Sequence, residues 1–192
     1  MLEVGGGLVA LLSRLGFECT VADVNAEFAD DLRRRGLAFR ECDLLHDDLP
    51  ERDSQDVVVL CEVIEHMPVP AHVVLEQIRA WIRPGGVLIL TTPNLHRLRN
   101  VVRMALGLPV FGIFLIPERG RSFGHPIEYS RAHVRWQLER AGFEVASIEH
   151  RQLENAGATP TARIGRFLLA PLLLRPVWRD QLVAICRRPA AG

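Results

Sequence analysis

The first seven residues constrain this chain most. A short apolar run, Met1-Leu2 and then Val4, leads into Gly5-Gly6-Gly7, and a stretch with helical spacing, Leu8 to Leu15, follows at once. Glycines between a buried strand and a helix let the backbone turn sharply and approach another backbone or a ligand, because no Cβ stands in the way. Such a turn has a regular place at the carboxyl edge of a sheet whose strands are joined by crossover helices. The chain keeps that alternation. Glu18–Val24 reads as a strand, Ala26–Arg35 as a helix stopped by Gly36, and Leu37–Cys42 as a third strand. The β-branched run Asp56–Leu60 (DVVVL) is a fourth, and His72–Ile82 has helical periodicity, with Val73, Val74, Ile78, Trp81 and Ile82 apolar. Pro84-Gly85-Gly86 is expected to break that helix before a buried strand at Val87–Leu90 (VLIL). A parallel sheet covered on both faces follows from this order.

The alternation then stops. Arg97–Pro117 (RLRNVVRMALGLPVFGIFLIP) reads as part of an inserted cap, at residues 95–130, before a helix at Arg131–Ala141 and a strand at Phe143–Ile148. An apolar patch, Phe167–Leu174, precedes a last strand at Gln181–Cys186. With 192 residues and 48% hydrophobic side chains, one globular domain over 1–192 is expected. The net charge is zero but uneven, about −8 over residues 1–96 and about +8 over 97–192. There is no lysine, which excludes a lysine Schiff base and a P-loop lysine. Cys19, Cys42, Cys61 and Cys186 lack a C-x-x-C spacing, so free thiols in a reducing cytoplasm are expected. No leader or bilayer-length apolar stretch is visible. Met1 would already sit in the first strand, so a truncated chain or a late start codon is expected.

Three strand ends carry candidate chemistry. Asp23 closes the second strand, roughly 20 residues after the glycines, where a carboxylate can accept both hydroxyl hydrogens of a ribose. Asp43 closes the third and could meet the exocyclic amine of an adenine. Each also reads as a turn or N-cap aspartate. Gly5-x-Gly7-x-x-Ala10 satisfies a dinucleotide fingerprint too, and Asp23 would suit NAD equally well. Glu3 weighs the other way: a carboxylate two residues before the first glycine is awkward beside a pyrophosphate and welcome beside a cationic cofactor. The acidic first half suits a sulfonium for the same reason.

Directly after the fourth strand comes Cys61-Glu62-Val63-Ile64-Glu65-His66, and Pro84-Gly85-Gly86 precedes the fifth. With these residues the chain resembles the class I S-adenosylmethionine-dependent methyltransferases over nearly its whole length. E-V-G-G-G is similar to their first motif, VVVLCEVIEHM to the fourth-strand motif and RPGGVLILTTPN to the element after it. HPIEYSRAHVRWQLERAGFEV resembles the closing segment of the subgroup that contains ubiquinone-pathway O-methyltransferases. The resemblance implies a Rossmann-like, doubly wound α/β fold with a mostly parallel seven-stranded sheet and an antiparallel last strand. It implies S-adenosyl-L-methionine as cofactor, held by Glu3, Gly5, Gly6, Gly7, Asp23, Val24, Asp43 and Leu44, with Cys61 and Glu62 bordering its methionine end. Two departures stand out: Val9 replaces the usual third glycine, and the helix that normally precedes the first strand is missing.

Methyl transfer from a sulfonium is an in-line displacement on an activated carbon. The protein must align acceptor and methyl, exclude water and deprotonate a hydroxyl acceptor. His66 is the best-placed base, since imidazole changes charge near neutral pH; it reads equally well as a structural member of its loop. Glu62, Glu65 and His66 stand at i, i+3 and i+4, so one helical turn would align them, and His125 from the cap could complete a divalent-metal site. That arrangement is similar to metal-dependent 2′-O-methyltransferases of small-RNA 3′ ends and to metal-assisted quinone-pathway enzymes; many methyltransferases with a similar motif need no metal.

In the cap, Arg97, Arg99 and Arg103 are expected on one side of a helix, solvated, with Leu98, Val101, Val102 and Ala105 packed on the other. The same basic and apolar surface, helped by Phe167–Leu174, would suit an anionic amphiphile or a membrane face. The expected partner is a small-molecule or amphiphilic acceptor, not nucleic acid. Two rivals remain at this stage: an NAD(P)-dependent oxidoreductase, and a truncated cofactor-binding module without turnover.

Overall fold

In a computed structural model, which describes residues 1–4, 13, 16–46, 51–111, 126–152 and 170–190, seven strands form one sheet. They are β1 (Leu2–Val4), β2 (Thr20–Asp23), β3 (Ala38–Glu41), β4 (Gln55–Cys61), β5 (Ile82–Pro93), β6 (Glu144–Arg151) and β7 (Gln181–Arg187). Their spatial order is β3-β2-β1-β4-β5-β7-β6. β1 to β5 pair in parallel, and β7 runs antiparallel to both β5 and β6. The mostly parallel sheet with an antiparallel last strand is therefore present. The chain steps outward from β1 to β2 and β3 on one side, then returns to add β4 and β5 on the other. That reversal lies between β1 and β4, where open α/β sheets leave a crevice at their carboxyl ends.

Four α-helices lie among the described residues: α1 (Ala29–Arg34), α2 (Ala71–Trp81), α3 (Leu98–Ala105) and α4 (Arg131–Arg140). One sheet face is sealed by α2 and α4. Leu2, Val4, Val58, Leu60, Leu88 and Leu182 on the strands form one cluster with Val74, Leu75 and Ile78 of α2 and Val134 and Leu138 of α4. These alternate residues are almost wholly removed from water, and each contributes about 1.5–3 kcal/mol. Ser130 begins α4, its side chain accepting a hydrogen bond from the His133 N–H at 3.2 Å.

Three local expectations need correcting. The helix expected at 26–35 starts as a 3-10 turn, Ala26–Phe28, capped by Asn25, and becomes α-helical only at Ala29. Pro84–Gly86 does not precede β5 but lies within it. Gln55 pairs with Ile82 and Val57 with Val87, so residues 83–86 swing out opposite Asp56, tied by an Arg83–Asp56 ion pair of 2.8 Å. Gly85 has φ +80 there, and a Cβ on Gly86 would stand 2.6 Å from Ile82 Cγ2 and 2.9 Å from the Asp56 carbonyl. In α3 only Leu98 and Asn100 are buried; Val102, expected on the packed face, is exposed, as is Met104.

Candidate functional site

The carboxyl ends of the first four strands are brought side by side. Val4 is in register with Ala22 of β2 and Leu60 of β4, and Asp23 with Glu41 of β3. The Cys42 N–H donates to the Asp23 carbonyl at 3.0 Å, which holds the ends of β2 and β3 together. Asp23 thus ends β2, and Asp43 follows the end of the adjacent β3 by two residues at the same edge. Asp23 Oδ1 accepts from the Asn25 N–H at 2.8 Å. Asp43 accepts from the Leu45 N–H at 2.9 Å and is bonded to His46 Nδ1 at 2.9 Å. The Leu45 and His46 hydrogen bonds hold the Asp43 carboxyl below its ordinary value, so it is ionised. Both aspartates therefore take up turn hydrogen bonds as well as standing at the crevice. Val24 projects into solvent, whereas Leu44 is buried in the core.

Glu3 sits in the middle of β1 with none of its surface exposed. Its neighbours in register are Val21 and Val59. Beyond it, β4 ends at Cys61, whose thiol is pushed up to about 11 by burial first, with Glu3, Glu62 and Glu65 adding to the rise. Glu62 then adopts φ +54, a left-handed conformation that is unusual for a residue with a side chain. It is held there from both sides. Its N–H donates to the Thr91 carbonyl at 3.1 Å, and its carboxylate accepts from Thr91 Oγ1 at 2.8 Å and from Gln181 Nε2 at 3.0 Å. Glu65 turns inward: Oε2 accepts from Thr92 Oγ1 at 3.0 Å, while buried Oε1 has no hydrogen-bond partner among the described residues. Burial, followed by the charge of Glu62, raises Glu65 to about 8, so it is mostly protonated at neutral pH. His66 is half-buried and closes the 3-10 turn Ile64–His66.

The expected alignment of Glu62, Glu65 and His66 does not occur. The turn begins only at Ile64, the backbone reverses at Glu62, and Glu65 points into the core rather than along one face with the other two. Among the described residues no group of three His, Cys, Asp or Glu side chains could hold a metal ion. Gly5, Gly6, Gly7 and His125 lie outside the described residues. The first-half acids fit a cationic adenosyl ligand by their chemistry: Glu3 and Glu62 lie by the end of β4, and Asp23 and Asp43 flank it.

A second cluster escaped the sequence reading. Arg97, expected in solvent, is mostly buried and paired with the almost wholly buried Glu128. Asn100 Nδ2 donates to Glu128 Oε2 at 2.5 Å and to the Leu95 carbonyl at 3.0 Å, and Arg97 Nε donates to Asn100 Oδ1 at 3.3 Å. The Leu95 N–H donates to the Tyr129 carbonyl at 3.0 Å, beside a bridge between Asn94 and Tyr129. The segment leaving β5 is thereby fastened to the segment entering α4. The available signal was the polar run Asn94–Asn100 after an apolar strand.

Sheet order, switch point and strand-end acids together define a Rossmann-like α/β protein of the methyltransferase class. The chain belongs to the methyltransferase domain family, whose model matches residues 1–148. It is 34% identical over 176 residues to a probable S-adenosylmethionine-dependent methyltransferase of Mycolicibacterium smegmatis, covering 87% of this chain and 58% of that protein. It is 32% identical over 101 residues to the mitochondrial ubiquinone biosynthesis O-methyltransferase of Candida albicans, covering 47% of this chain and 30% of that one. The chain thus spans little more than half the length of these curated relatives at most. Its fold is shared with a crystal structure of an S-adenosylmethionine-dependent methyltransferase from Mesorhizobium loti, at a TM-score of 0.66 and 16% identity, over 97% of this chain and 90% of that one. The dinucleotide reading of the glycine run gives way to these findings.

Proposed function

We propose that the protein transfers the methyl group of S-adenosyl-L-methionine to an oxygen of a small-molecule or lipid-linked acceptor. The observation that carries the reading is the set of acidic side chains Glu3, Asp23, Asp43 and Glu62 at the β1–β4 crevice, with Glu3 wholly buried inside its strand. The relationship to S-adenosylmethionine-dependent methyltransferases supports it, and the ubiquinone-pathway relative supports the choice of oxygen.

When bound, the cofactor supplies a methyl group already activated by a positive sulfur. The chain's part is to hold and to exclude. Asp23 receives the ribose hydroxyls, Asp43 and Leu44 border the adenine, and Val24 covers it; Glu3 and the glycines seat the methionine portion. The backbone of Cys61 and Glu62, locked by Thr91 and Gln181, sets the floor under the acceptor. His66, at the rim of that floor, takes the proton from an acceptor hydroxyl. Glu62, Glu65 and His66 do not share one face, and the proposed transfer calls on no metal ion from them. The protein works in a reducing cytoplasm, in keeping with its free cysteines.

Titration calorimetry with S-adenosylhomocysteine and with NAD tests the cofactor, and transfer of a labelled methyl group to extract fractions tests turnover. Micromolar binding of the first ligand alone, with label entering an acceptor, is the expected result. Binding of NAD in its place sinks the proposal. Binding without transfer to any fraction would leave a cofactor-binding module.

A further inference from the structure

Beside the site lies a surface that the reaction does not use. Residues 94–111 hold Arg97, Arg99 and Arg103 without one acidic residue, and residues 170–179 hold Arg175 and Arg179, again without one. The two stretches adjoin. Asn94 Nδ2 donates to the Val177 and Arg179 carbonyls at 2.7 and 2.8 Å, and the Asn94 N–H donates to the Asp180 carbonyl at 2.8 Å. Arg97 is taken up by Glu128; among the described residues Arg99, Arg103, Arg175 and Arg179 form no ion pair.

Apolar side chains stand in solvent on the same stretches. Leu106 is 67% exposed, Leu174 80% and Met104 51%, with Leu108, Leu172 and Val177 also exposed. Single exposed leucines are ordinary, but their gathering on two adjoining, acid-free segments marks an interaction surface. The Arg175 guanidinium lies 5.2 Å from the Trp178 ring centroid, which places a cation against an apolar body. Such a pair is suited to a boundary between a charged layer and an apolar one.

We propose that this edge rests on an anionic lipid bilayer, with Met104, Leu106 and Leu174 entering the headgroup layer and Arg99 and Arg175 meeting lipid phosphates. Charge selects this occupant. A second copy docked through the same face would bring arginines against arginines, with no acid in either stretch to offset them. A bilayer supplies an apolar phase and excess negative charge together. The surface borders the strand end that carries Gln181, which is bonded to Glu62, so a lipid-linked acceptor would arrive at the mouth of the site. That consequence rests on the proposed methyl transfer; the membrane contact does not.

The test is co-sedimentation with vesicles of phosphatidylcholine alone and of phosphatidylcholine mixed equally with phosphatidylglycerol, at low and high salt. Binding to the anionic vesicles only, falling as salt rises, is expected. The double change Arg99→Gln and Arg175→Gln should weaken it about 30-fold, and Leu106→Ser with Leu174→Ser about fivefold or more. All four residues are exposed, so binding of S-adenosylhomocysteine should stay as in the parent. Equal binding to both vesicle types, no binding to anionic vesicles at low salt, or an unimpaired arginine variant would overturn the proposal. So would a dimer in sedimentation velocity that the serine variant dissolves, since the face would then belong to a second copy. Failure of the parent to bind S-adenosylhomocysteine would count against the proposed function and leave the vesicle result standing.

Discussion

The two sides of the crevice are built on different principles. On the β1–β4 side, position comes from the sheet: strands in register place Glu3, Asp23, Asp43 and Glu62 along one edge, and Thr91 and Gln181 hold Glu62. On the other side, beyond β5, position comes from a buried polar knot, Arg97, Asn100 and Glu128, that ties the segment after β5 to the segment before α4. A sheet edge is rigid because many backbone bonds share the load. A knot of three side chains fails when one is removed. Under the proposed function, the β1–β4 side should therefore be robust in structure and sensitive in binding, and the side beyond β5 the reverse.

The largest effect should follow from Glu128→Ala. It would strand the Arg97 guanidinium, only 13% exposed, without its counter-charge. Breaking a buried pair from one side costs about 3–5 kcal/mol, which for a chain of this size lowers the melting temperature by roughly 10 °C. Calorimetry in the same variant should show S-adenosylhomocysteine affinity within about threefold of the parent, because the lesion lies across the crevice from Asp23. A normal melting temperature would show that the knot contributes nothing, and the contrast between the two sides would fail.

Glu65 joins the two sides, near Glu62 on one and Glu128 on the other. Its folded-state value of about 8 lies above its ordinary 4.5, so the folded state holds a proton that the unfolded chain releases. The stabilising contribution is therefore complete below pH 4.5 and is lost progressively as pH rises toward 8. Between pH 5 and 8 the loss is on the order of 3 kcal/mol. Glu65→Gln, a neutral side chain of the same shape, should remove most of that slope in urea denaturation. A parent whose stability is level over that range, or an unchanged slope in the variant, would mean that Glu65 is not the protonated group.

The same contrast explains what could be read in advance. Buried parallel strands announce themselves locally: DVVVL became β4 and VLIL the centre of β5, because residues with both faces covered are apolar without interruption. Asp23 was legible as the residue at which such a run stops, and Asp43 as the acid that follows the mostly exposed β3. β5 was read too short because Pro84-Gly85-Gly86 signals a stop, and nothing local shows that Asp56 and Arg83 bridge an excursion inside the strand. The knot was invisible for a stronger reason. Arg97 and Glu128 lie 31 residues apart and Gln181 and Glu62 lie 119 apart, and no periodicity encodes a pairing over such separations. Helical spacing misled for Glu62, Glu65 and His66, since it presumes that the turn starts at Glu62, where φ is positive.

Two smaller changes, two residues apart, separate binding from folding at the β2 end. Asp23→Ala should lower S-adenosylhomocysteine affinity roughly 100-fold, the loss of two charge-assisted hydrogen bonds, and lower stability by only about 1 kcal/mol through its bond to the Asn25 N–H. Asn25→Ala removes the side chain that accepts from the Glu27 N–H at 2.9 Å and caps the next turn. That costs about 1 kcal/mol, or 2–4 °C in melting temperature. It leaves the Asn25 backbone N–H in place, so Asp23 keeps its orientation and affinity should move less than about threefold. If Asn25→Ala weakened binding as much as Asp23→Ala, the carboxylate would be acting as one more turn residue, and the ribose contact would have to be sought elsewhere on the edge.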